Sequence, residues 1–289
     1  MPLVVEHVNH VYMQGGPYET QALHDVSFTI GDGEFVGLIG HTGSGKSTLV
    51  QHLNGLLSPS SGRVLVDGVD LAEKGTDRKQ IRCKIGLVFQ YAENQLFEET
   101  VAKDIAFGPK NLGLAEAEID KRVRDAMRMV ELEYDRIAEK SVFELSGGQM
   151  RRVAIAGVLA MKPSVLVLDE PCAGLDPRGR EGILSLISNL HRTLGTTIVM
   201  VSHSMDDVAQ LAERVLVMDH GCLVMDGVPG EIFTQREQLQ KMGLDVPQVV
   251  ELADRLRERG IPVPEHIYRM EEIRAYLLSY LTKGGSHAE

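Results

Sequence analysis

The order of apolar and polar residues predicts short strands that alternate with helices. Apolar and polar side chains alternate loosely from residue 3 to residue 12, which indicates an early strand. Further strands are predicted at 26–30, 34–39, 63–68, 85–89, 165–170 and 196–202, and on both sides of a turn within 215–230. A helix-compatible segment follows the strand at 34–39, and such alternation is typical of an α/β protein.

Residues 92–160 form a region that we predict to be mostly helical. Within Glu116–Val130 the acidic residues crowd the first turn, where the helix dipole favours them. Four apolar residues recur there at helical spacing: Ile119, Val123, Met127 and Val130. The same face would suit a hydrophobic core or a groove for a partner, and we favour the core.

The segment after Phe233 predicts two short amphipathic helices. Their apolar faces comprise Val249, Leu252, Ala253 and Leu256 in the first helix, and Met270, Ile273, Leu277 and Tyr280 in the second. Because two such helices bury little surface alone, we expect them to pack on the main domain or on a second subunit. The predicted division is a main domain at 1–233 with a helical subdomain at about 92–160, a helical extension at 234–282 and a disordered tail at 283–289.

Composition limits the possible partners and compartments. The 289 residues carry a formal net charge of −11, whereas nucleic-acid-binding proteins usually present a basic face, so we expect no nucleic-acid partner. Three cysteines, an odd number without close pairs, indicate reduced thiols.

The chain predicts no membrane span of its own. Its N-terminus lacks the basic flank and long apolar core of a signal peptide. The longest aliphatic runs, at 165–168 and 198–201, are far too short to cross a bilayer. We therefore expect a soluble polypeptide that associates with a membrane through a partner.

Residues 40–48 have the form of a phosphate-binding loop, G-x-x-x-x-G-K-S, between a predicted strand and a predicted helix. The glycines allow consecutive N–H groups to point into one concavity, where the helix dipole also favours anions. Lys46 can reach the β- and γ-phosphates, and the Ser47 hydroxyl can ligate Mg²⁺. The expected nucleotide-binding residues are Gly40, His41, Thr42, Gly43, Ser44, Gly45, Lys46, Ser47 and Thr48.

Other candidate polar residues follow predicted strands. A buried-type strand ends in Asp169 and Glu170; since adjacent strand residues point in different directions, one carboxylate can serve Mg²⁺ while the other faces an attacking water. Gln90 and His203 each follow another strand, where side chains of an α/β sheet reach ligands, although a solvated glutamine and an inert histidine are the alternatives. Tyr12 is either a core residue or a ring that stacks on adenine.

A second anion-binding arrangement interrupts the helical region. Leu145-Ser146-Gly147-Gly148-Gln149 is a turn that opens a helix. A protein has little need for two such sites on one γ-phosphate unless they act from opposite sides.

Taken together, these motifs resemble those of ABC transporter ATPases over about residues 3–235, and the signature at 145–149 makes the resemblance specific. The resemblance implies a P-loop NTPase core of the ABC type with an antiparallel β subdomain and a helical signature subdomain. It also implies that two ATPases sandwich two ATP molecules, with the signature of one subunit on the γ-phosphate held by the other.

The same resemblance implies roles for individual residues. Tyr12 would stack on adenine, Gln90 would serve Mg²⁺ and coupling, and Asp169 would hold Mg²⁺ through water. Glu170 would act as the general base, His203 would contact the γ-phosphate, and Asp176 would contact the partner across the dimer. Cys172 stands where threonine or serine is common, which would place a thiol close to the catalytic centre.

A narrower resemblance is to the ATPases of energy-coupling factor transporters, which import vitamins or transition-metal ions. It rests on segment 90–101, on the helical tail as a dimerisation element, and on the loop Met13–Thr20, which is similar to that of the second of two paralogous ATPases. It implies a paralogous ATPase partner, a transmembrane scaffold subunit that Gln95, Leu96 and Phe97 would contact, and a substrate-binding membrane subunit. The implied location is the cytoplasmic side of the cell membrane.

The leading hypothesis is therefore a transporter motor for a vitamin or other micronutrient, with a cobalt- or nickel-type importer of the same group as the alternative. A soluble ABC ATPase of DNA repair would carry a long coiled coil, and a translation factor of the superfamily usually carries two cassettes; neither is found in the sequence. Intact Glu170 and His203 argue against a nucleotide-binding module without turnover.

Overall fold

The computed structural model describes residues 3–73 and 78–284, and within them the alternation of strands and helices is confirmed. The strands are β1 (Leu3–Tyr12), β2 (Thr20–Ile30), β3 (Phe35–Ile39), β4 (Ser61–Val66), β5 (Val69–Asp70), β6 (Ile85–Val88), β7 (Val165–Asp169), β8 (Thr197–Val201), β9 (Arg214–Asp219) and β10 (Cys222–Gly227). The helices are α1 (Lys46–Leu53), α2 (Arg78–Lys84), α3 (Val101–Asn111), α4 (Glu116–Met129), α5 (Tyr134–Ile137), α6 (Gly147–Leu159), α7 (Pro177–Leu194), α8 (Met205–Leu211), α9 (Pro229–Thr234), α10 (Arg236–Lys241), α11 (Gln248–Glu258) and α12 (Met270–Gly284).

Six strands form a central sheet in the order β10-β9-β3-β8-β7-β6. Its pairs are parallel except for β9 with β10. Strands β3 and β8 are buried at every position, as expected for parallel strands that are covered on both faces. Ligands of such sheets bind beyond the carboxyl ends of the strands, so the ends of β3, β6, β7 and β8 define the region of interest.

A second, antiparallel sheet has the order β2-β1-β4-β5. Strand β1 buries Leu3 and Val5, but its register shifts before the buried Val8, so the predicted alternation does not run through the whole strand. Strand β2 begins at Thr20, earlier than the predicted strand at 26–30, because it pairs with β1 along its whole length up to the pair Tyr12–Thr20. The sheet therefore carries Tyr12 to one of its ends, next to helix α1.

The helical region between β6 and β7 contains α3 to α6 and two short 3₁₀ helices, Ala92–Gln95 and Val142–Glu144. All four apolar residues that recur in the predicted helix at 116–130 are buried in the main hydrophobic core. The core interpretation of this face is confirmed, although Ile119 and Val123 also border a cavity of about 220 Å³ that residues of α3 line as well.

The C-terminal helices pack partly on the main core and partly on each other. Leu239 and Leu244 belong to the main core, whereas Val249, Ala253 and Ile273 form a small cluster with residues between α11 and α12. Two hydrogen bonds join this part to α8: Arg269 Nε donates to the Ala209 carbonyl at 3.1 Å, and Gln248 N donates to Asp206 Oδ1 at 2.9 Å.

The predicted apolar faces of these helices are only partly covered. Leu252 of α11 and Met270 and Tyr280 of α12 are exposed, as are Leu278 and Leu281 of α12, which lie outside the predicted face. Lys283 and Gly284 of the predicted tail belong to α12, and its residues 285–289 lie outside the described part of the chain. In the described ranges, no helix combines the length and the apolar character that a membrane crossing requires.

Candidate functional site

A cavity of about 740 Å³ lies at the carboxyl ends of four central strands. Each of these strands, β3, β6, β7 and β8, is followed by a residue of the cavity wall. The predicted site residues in this wall are Gly40, His41, Thr42, Gly43, Gly45, Lys46, Ser47, Thr48, Gln90, Asp169, Glu170 and His203. Residues that are up to 163 positions apart in the chain, from 40 to 203, therefore meet at one place because parallel strands bring their ends together.

The loop before α1 requires glycine at two positions for steric reasons. A Cβ at Gly40 would collide with the Met218 carbonyl oxygen, and one at Gly45 would lie 2.8 Å from the Ala22 carbonyl oxygen. Gly45 also has a φ of 102°, in the region that L side chains avoid. Ser44 is fully buried between these contacts and does not line the cavity. The loop is thus held tightly against its neighbours, with its open side toward the cavity.

Lys46 places an ammonium group at the mouth of the loop. Its Nζ donates hydrogen bonds to the carbonyl oxygens of Gly40 at 2.6 Å and His41 at 2.9 Å. Burial lowers the pKa of Lys46, and the negative charges of Glu170 and Asp169 oppose that effect. The cavity therefore contains one cation that faces two carboxyl groups, an arrangement that can accept phosphate oxygens and a divalent cation.

Both carboxyl groups face the same cavity. Asp169 is the last residue of β7, whereas Glu170 has left the strand with a φ of 51° and donates its N–H to the Val201 carbonyl at 3.0 Å. The alternation of strand side chains therefore does not apply to this pair, contrary to our expectation. Burial raises the pKa of Asp169, and the neighbouring Glu170 charge adds to the increase while Lys46 opposes it.

The Glu170 carboxylate is oriented by the histidine that follows β8. His203 Nδ1 lies 2.7 Å from Glu170 Oε2, and the histidine ring is exposed while the carboxylate is half-buried. A carboxylate held in this way can accept a proton from a water molecule in the cavity.

Tyr12 lies beside the cavity rather than in its wall. Its hydroxyl is 3.1 Å from Thr48 Oγ1, and its ring packs edge-on against His10 with 4.4 Å between ring centroids. His10 Nδ1 is in turn 3.1 Å from Nε2 of the buried His52. The sequence did not predict the contact between these two histidines, because only the fold brings β1 and α1 together.

The signature turn and Asp176 do not line this cavity. Ser146 caps α6: its Oγ accepts a hydrogen bond from Gln149 N at 3.3 Å, and Gln149 Oε1 accepts one from Ser146 N at 3.0 Å. Leu145 is buried, and the space beside Gly147 and Gly148 is open. Asp176 is exposed and caps α7 through Gly179 N at 2.7 Å. The signature turn of this chain therefore lies outside the wall of the cavity that the phosphate loop lines.

Three cavity residues come from the C-terminal part of the chain, where no sequence motif indicates them. Gly243, Leu244 and Asp245 follow α10 and line the cavity beside the phosphate loop. They belong to no motif, and their position depends on the burial of Leu239 and Leu244 in the main core.

A buried arginine that the sequence motifs do not indicate also contacts the site. Arg151 of α6 is fully buried, and its Nε lies 2.7 Å from Glu93 Oε2. Its Nη1 donates to the Pro171 carbonyl at 2.9 Å, and its Nη2 donates to the Ala173 carbonyl at 3.0 Å. Because a buried charge needs several partners, this guanidinium ties the backbone after Glu170 to the 3₁₀ helix Ala92–Gln95.

Cys172 lies near Glu170 but outside the cavity wall. Its thiol does not line the cavity but packs against the main core, 3.9 Å from the Arg180 carbonyl oxygen. Burial raises the pKa of this thiol to about 12.

Gln95, Leu96 and Phe97 line a second cavity, of about 530 Å³, together with apolar residues of α3 and α6. Leu96 is buried, whereas Phe97 is 59% exposed and packs edge-on against Phe107 with 4.8 Å between ring centroids. Asp104 Oδ2 accepts hydrogen bonds from Phe97 N at 3.0 Å and Glu98 N at 3.1 Å, which fixes the backbone of this segment. We call this cavity the α3–α6 groove.

Comparison with known proteins identifies relatives that are ATP-binding proteins of ABC transporters. The profile of the ABC transporter family matches residues 23–173. The chain is 56% identical over 281 residues to the energy-coupling factor transporter ATP-binding protein EcfA2 of Clostridium perfringens, covering 97% of this chain and 99% of the relative. The protein of the same name from Symbiobacterium thermophilum is also 56% identical, with 97% of each chain covered.

Solved structures give the same result for the fold. The structure of cbiO1 from Clostridium perfringens, described as part of the ABC transporter complex cbiONQ, has a TM-score of 0.74 and 41% identity, covering 87% of this chain and 98% of that one. A dimeric ATP-binding cassette in a post-hydrolysis state with ADP and Pi has a TM-score of 0.69 and 30% identity, covering 78% of this chain and 98% of that one. The expected ABC-type fold class is thereby confirmed.

Removal of the Lys46 ammonium should weaken nucleotide binding. We expect Lys46→Ala to lower ATP affinity by about tenfold to a hundredfold, since a hydrogen bond to a charged group contributes about 1.5–3 kcal/mol. Isothermal titration calorimetry would measure the change, with Lys241→Ala on α10 as a control at an exposed lysine. Unchanged ATP affinity in Lys46→Ala would remove this ammonium from the phosphate site.

The thiol of Cys172 should react slowly in the folded protein. With a pKa raised to about 12, only a very small fraction is thiolate at neutral pH. In a variant that retains Cys172 alone, maleimide labelling should be much slower in the native chain than in the denatured chain. The native rate should rise about tenfold for each pH unit, because the thiolate is the reactive form. Rapid native labelling near pH 7 would contradict the buried orientation.

Proposed function

Because this chain belongs to the ABC transporter family and, within it, to the energy-coupling factor transporter ATP-binding proteins, we propose that it energises uptake of a vitamin or other micronutrient. The chain is an ATPase whose turnover is coupled to transport. The proposed mechanism rests on one observation: a single cavity is lined by the phosphate loop, the pair Asp169–Glu170 and His203. The signature turn of the same chain lies outside this cavity.

The nucleotide would be held mainly by the phosphate loop. The backbone N–H groups of 40–48 and the Lys46 ammonium bind the phosphate oxygens, and Tyr12 offers its ring to the adenine beside Thr48. Lys46 turns from the carbonyls of Gly40 and His41 toward the β- and γ-phosphates. Its charge offsets the negative charge that develops on the γ-phosphate during transfer.

The oxygen donors Ser47, Gln90 and Asp169 suit Mg²⁺, which prefers hydroxyl, amide, carboxylate and water oxygens. The raised pKa of Asp169 beside Glu170 supports this assignment, because two neighbouring carboxyl groups in a half-buried position favour a cation. When bound, Mg²⁺ neutralises charge on the β- and γ-phosphates. Asp169 would hold it through a water molecule.

Glu170 would act as the general base. Its carboxylate accepts a proton from the water that attacks the γ-phosphate, while His203 Nδ1, 2.7 Å away, keeps the carboxylate in position. This contact leaves His203 Nε2 for the γ-phosphate. The backbone bonds of Glu170 to β8 and of the following residues to Arg151 fix the carboxylate at the cavity.

A second ATPase would complete the site. Residues 145–149 lie outside the cavity of their own chain, and the space beside Gly147 and Gly148 is open, so the start of α6 can receive a phosphate held by a partner. Asp176 would contact the partner across the interface. We favour a paralogous ATPase over a second copy as the partner, by analogy with the two-ATPase arrangement of this transporter group.

The C-terminal helices would extend this interface. We assign residues 1–233 to the nucleotide-binding domain, with its helical subdomain at about 92–160, and residues 234–282 to a dimerisation extension. The exposed apolar residues of α11 and α12, among them Leu252, Leu278 and Leu281, support the assignment, because an apolar face of this kind is typical of subunit contacts.

The α3–α6 groove would receive a short helix of a transmembrane scaffold subunit, at the cytoplasmic side of the membrane. Its exposed Phe97 and Phe107 supply the aromatic anchors that dominate helix-in-groove contacts. The ion pair of Glu93 with Arg151 offers a path from this groove to the backbone after Glu170. Movement of the scaffold helix would thereby act on the catalytic carboxylate, and a substrate-binding membrane subunit would supply the cargo.

Loss of the aromatic anchor should separate transport from hydrolysis. We expect Phe97→Ala to cost about 2 kcal/mol or more in scaffold binding. Uptake by the reconstituted transporter should then fall about tenfold or more, while the ATPase rate of the isolated dimer stays within about twofold. Leu194→Ala, at an exposed residue of α7 outside the groove, is the control. If uptake and ATP hydrolysis fell together in Phe97→Ala, the segment would instead be required for the structure of the catalytic site.

Removal of the proposed base should trap the dimer. Glu170→Gln retains the shape of the side chain but not its basicity, so single-turnover hydrolysis should slow by about 10²–10⁴. ATP binding should persist through the phosphate loop. The ATP-bound dimer, formed with the partner ATPase, should accumulate and elute earlier in size-exclusion chromatography with Mg-ATP.

The control for this experiment is Glu265→Gln, a change of the same kind at an exposed glutamate before α12. Hydrolysis at the wild-type rate in Glu170→Gln would exclude this residue as the base. Slow hydrolysis without ATP-dependent association would retain the base but contradict the sandwich of two ATPases.

A further inference from the structure

Three side chains beside the phosphate loop form a set of metal ligands. His41, Asp219 and His220 each place one ligand atom within 4.8 Å of the others. Elsewhere in residues 3–73 and 78–284, no other group of three histidine, cysteine or acidic side chains comes this close. Asp219 and His220 have no part in the proposed hydrolysis of ATP.

The protonation of His41 leaves one nitrogen without a satisfactory partner. Its Nδ1 lies 2.7 Å from the Thr42 carbonyl oxygen, and because a carbonyl only accepts, Nδ1 carries the hydrogen. Nε2 is buried, makes no hydrogen bond of good geometry, and lies 3.0 Å from Asp219 Oδ1. This nitrogen and the Asp219 carboxylate oxygen therefore face each other directly, and both are atom types that bind metal cations.

The distances suit a first-row transition metal. Zinc binds histidine nitrogen and carboxylate oxygen at about 2.0–2.2 Å, so tetrahedral ligands lie about 3.3 Å from one another. Two separations lie on either side of this value, 3.0 Å from Asp219 Oδ1 to His41 Nε2 and 3.8 Å from Asp219 Oδ1 to His220 Nε2, and all three ligand atoms lie within 4.8 Å of one another. Two imidazoles with one carboxylate favour zinc and similar ions over Mg²⁺.

The backbone that carries the ligands is held firmly. His220 and Gly221 form the turn between β9 and β10 with φ values of 44° and 78°, as in the tight hairpin turns that need left-handed residues. Gly221 N donates to the Ser44 carbonyl at 3.0 Å, which ties the turn to the phosphate loop. Only the exposed His220 side chain would have to rotate to complete the site.

We propose that His41, Asp219 and His220 bind a transition-metal ion of the Zn²⁺ class, which links the phosphate loop to the β9–β10 turn. The ion holds His41 in the arrangement seen here, in which Lys46 donates to the carbonyls of Gly40 and His41. A ligand that binds one arrangement of a loop increases its population. The metal therefore opposes the turn of Lys46 toward phosphate and weakens ATP binding, a consequence that rests on the proposed function.

Zinc binding itself is tested on the full chain without a polyhistidine tag. Calorimetry with Zn²⁺ in excess Mg²⁺ should show one Zn²⁺ site in the wild type. His220→Gln should lower the Zn²⁺ affinity of this site by about tenfold or more, because the loss of a residue that only supports a metal ligand already lowers affinity by about that factor. The control His266→Gln, at an exposed histidine far along the chain, should bind as the wild type does. Co²⁺ should give the visible spectrum of a tetrahedral site in the wild type but not in His220→Gln.

Either of two results would overturn the site. If the wild type binds no Zn²⁺, a proton alone joins His41 to Asp219. If His220→Gln and His266→Gln bind Zn²⁺ with wild-type affinity and spectrum, the ion lies elsewhere on the chain.

The effect on nucleotide is measured separately, with a fluorescent ATP analogue at buffered free Zn²⁺. We expect Zn²⁺ to weaken binding of the analogue by about fivefold or more in the wild type and not in His220→Gln. Unchanged affinity in a wild type that binds Zn²⁺ would overturn the regulatory consequence. Failure to bind the analogue without Zn²⁺ would instead count against the proposed function.

Discussion

The buried guanidinium of Arg151 is the interaction on which the arrangement of the catalytic region depends. It belongs to the helix that follows the signature turn, and it contacts Glu93 and the carbonyls of Pro171 and Ala173. Loss of one member of a buried ion pair costs about 3–5 kcal/mol, because the other charge stays buried without a partner. The helical region, the groove and the backbone after Glu170 are therefore held as one unit, which is what a coupling device requires.

The charges around the cavity are arranged by the central sheet. Parallel strands place Lys46, Asp169 and Glu170 at one edge, where two carboxyl groups face one ammonium. Burial raises the pKa of Asp169 and the neighbouring Glu170 charge adds to the increase, while both carboxylates oppose the effect of burial on the pKa of Lys46. A nucleotide with a divalent cation can satisfy both groups, since it brings phosphate oxygens to the ammonium and positive charge to the carboxyl groups.

The surfaces left open by the fold point to an assembly. The signature turn lies outside the cavity of its own chain, the α3–α6 groove exposes aromatic side chains, and the last two helices expose apolar residues. Exposed apolar patches of this kind mark interaction sites. A second ATPase and membrane subunits are the partners that we propose for these surfaces.

The sequence by itself determined those features that depend only on residues close together in the chain. The phosphate loop, the buried-type strand that leads to the two carboxylates, the turn that opens α6 and the buried face of α4 follow from local spacing, which sets the backbone shape and the side that each residue faces. Only the tertiary structure decided the side-chain directions and contacts that depend on packing between distant segments. The left-handed backbone of Glu170 directs it to the same cavity as Asp169, and the thiol of Cys172 faces the core instead. Likewise, Gly243 to Asp245 reach the cavity and Arg151 meets Glu93 because distant segments share one core, and no local pattern of residues encodes such contacts.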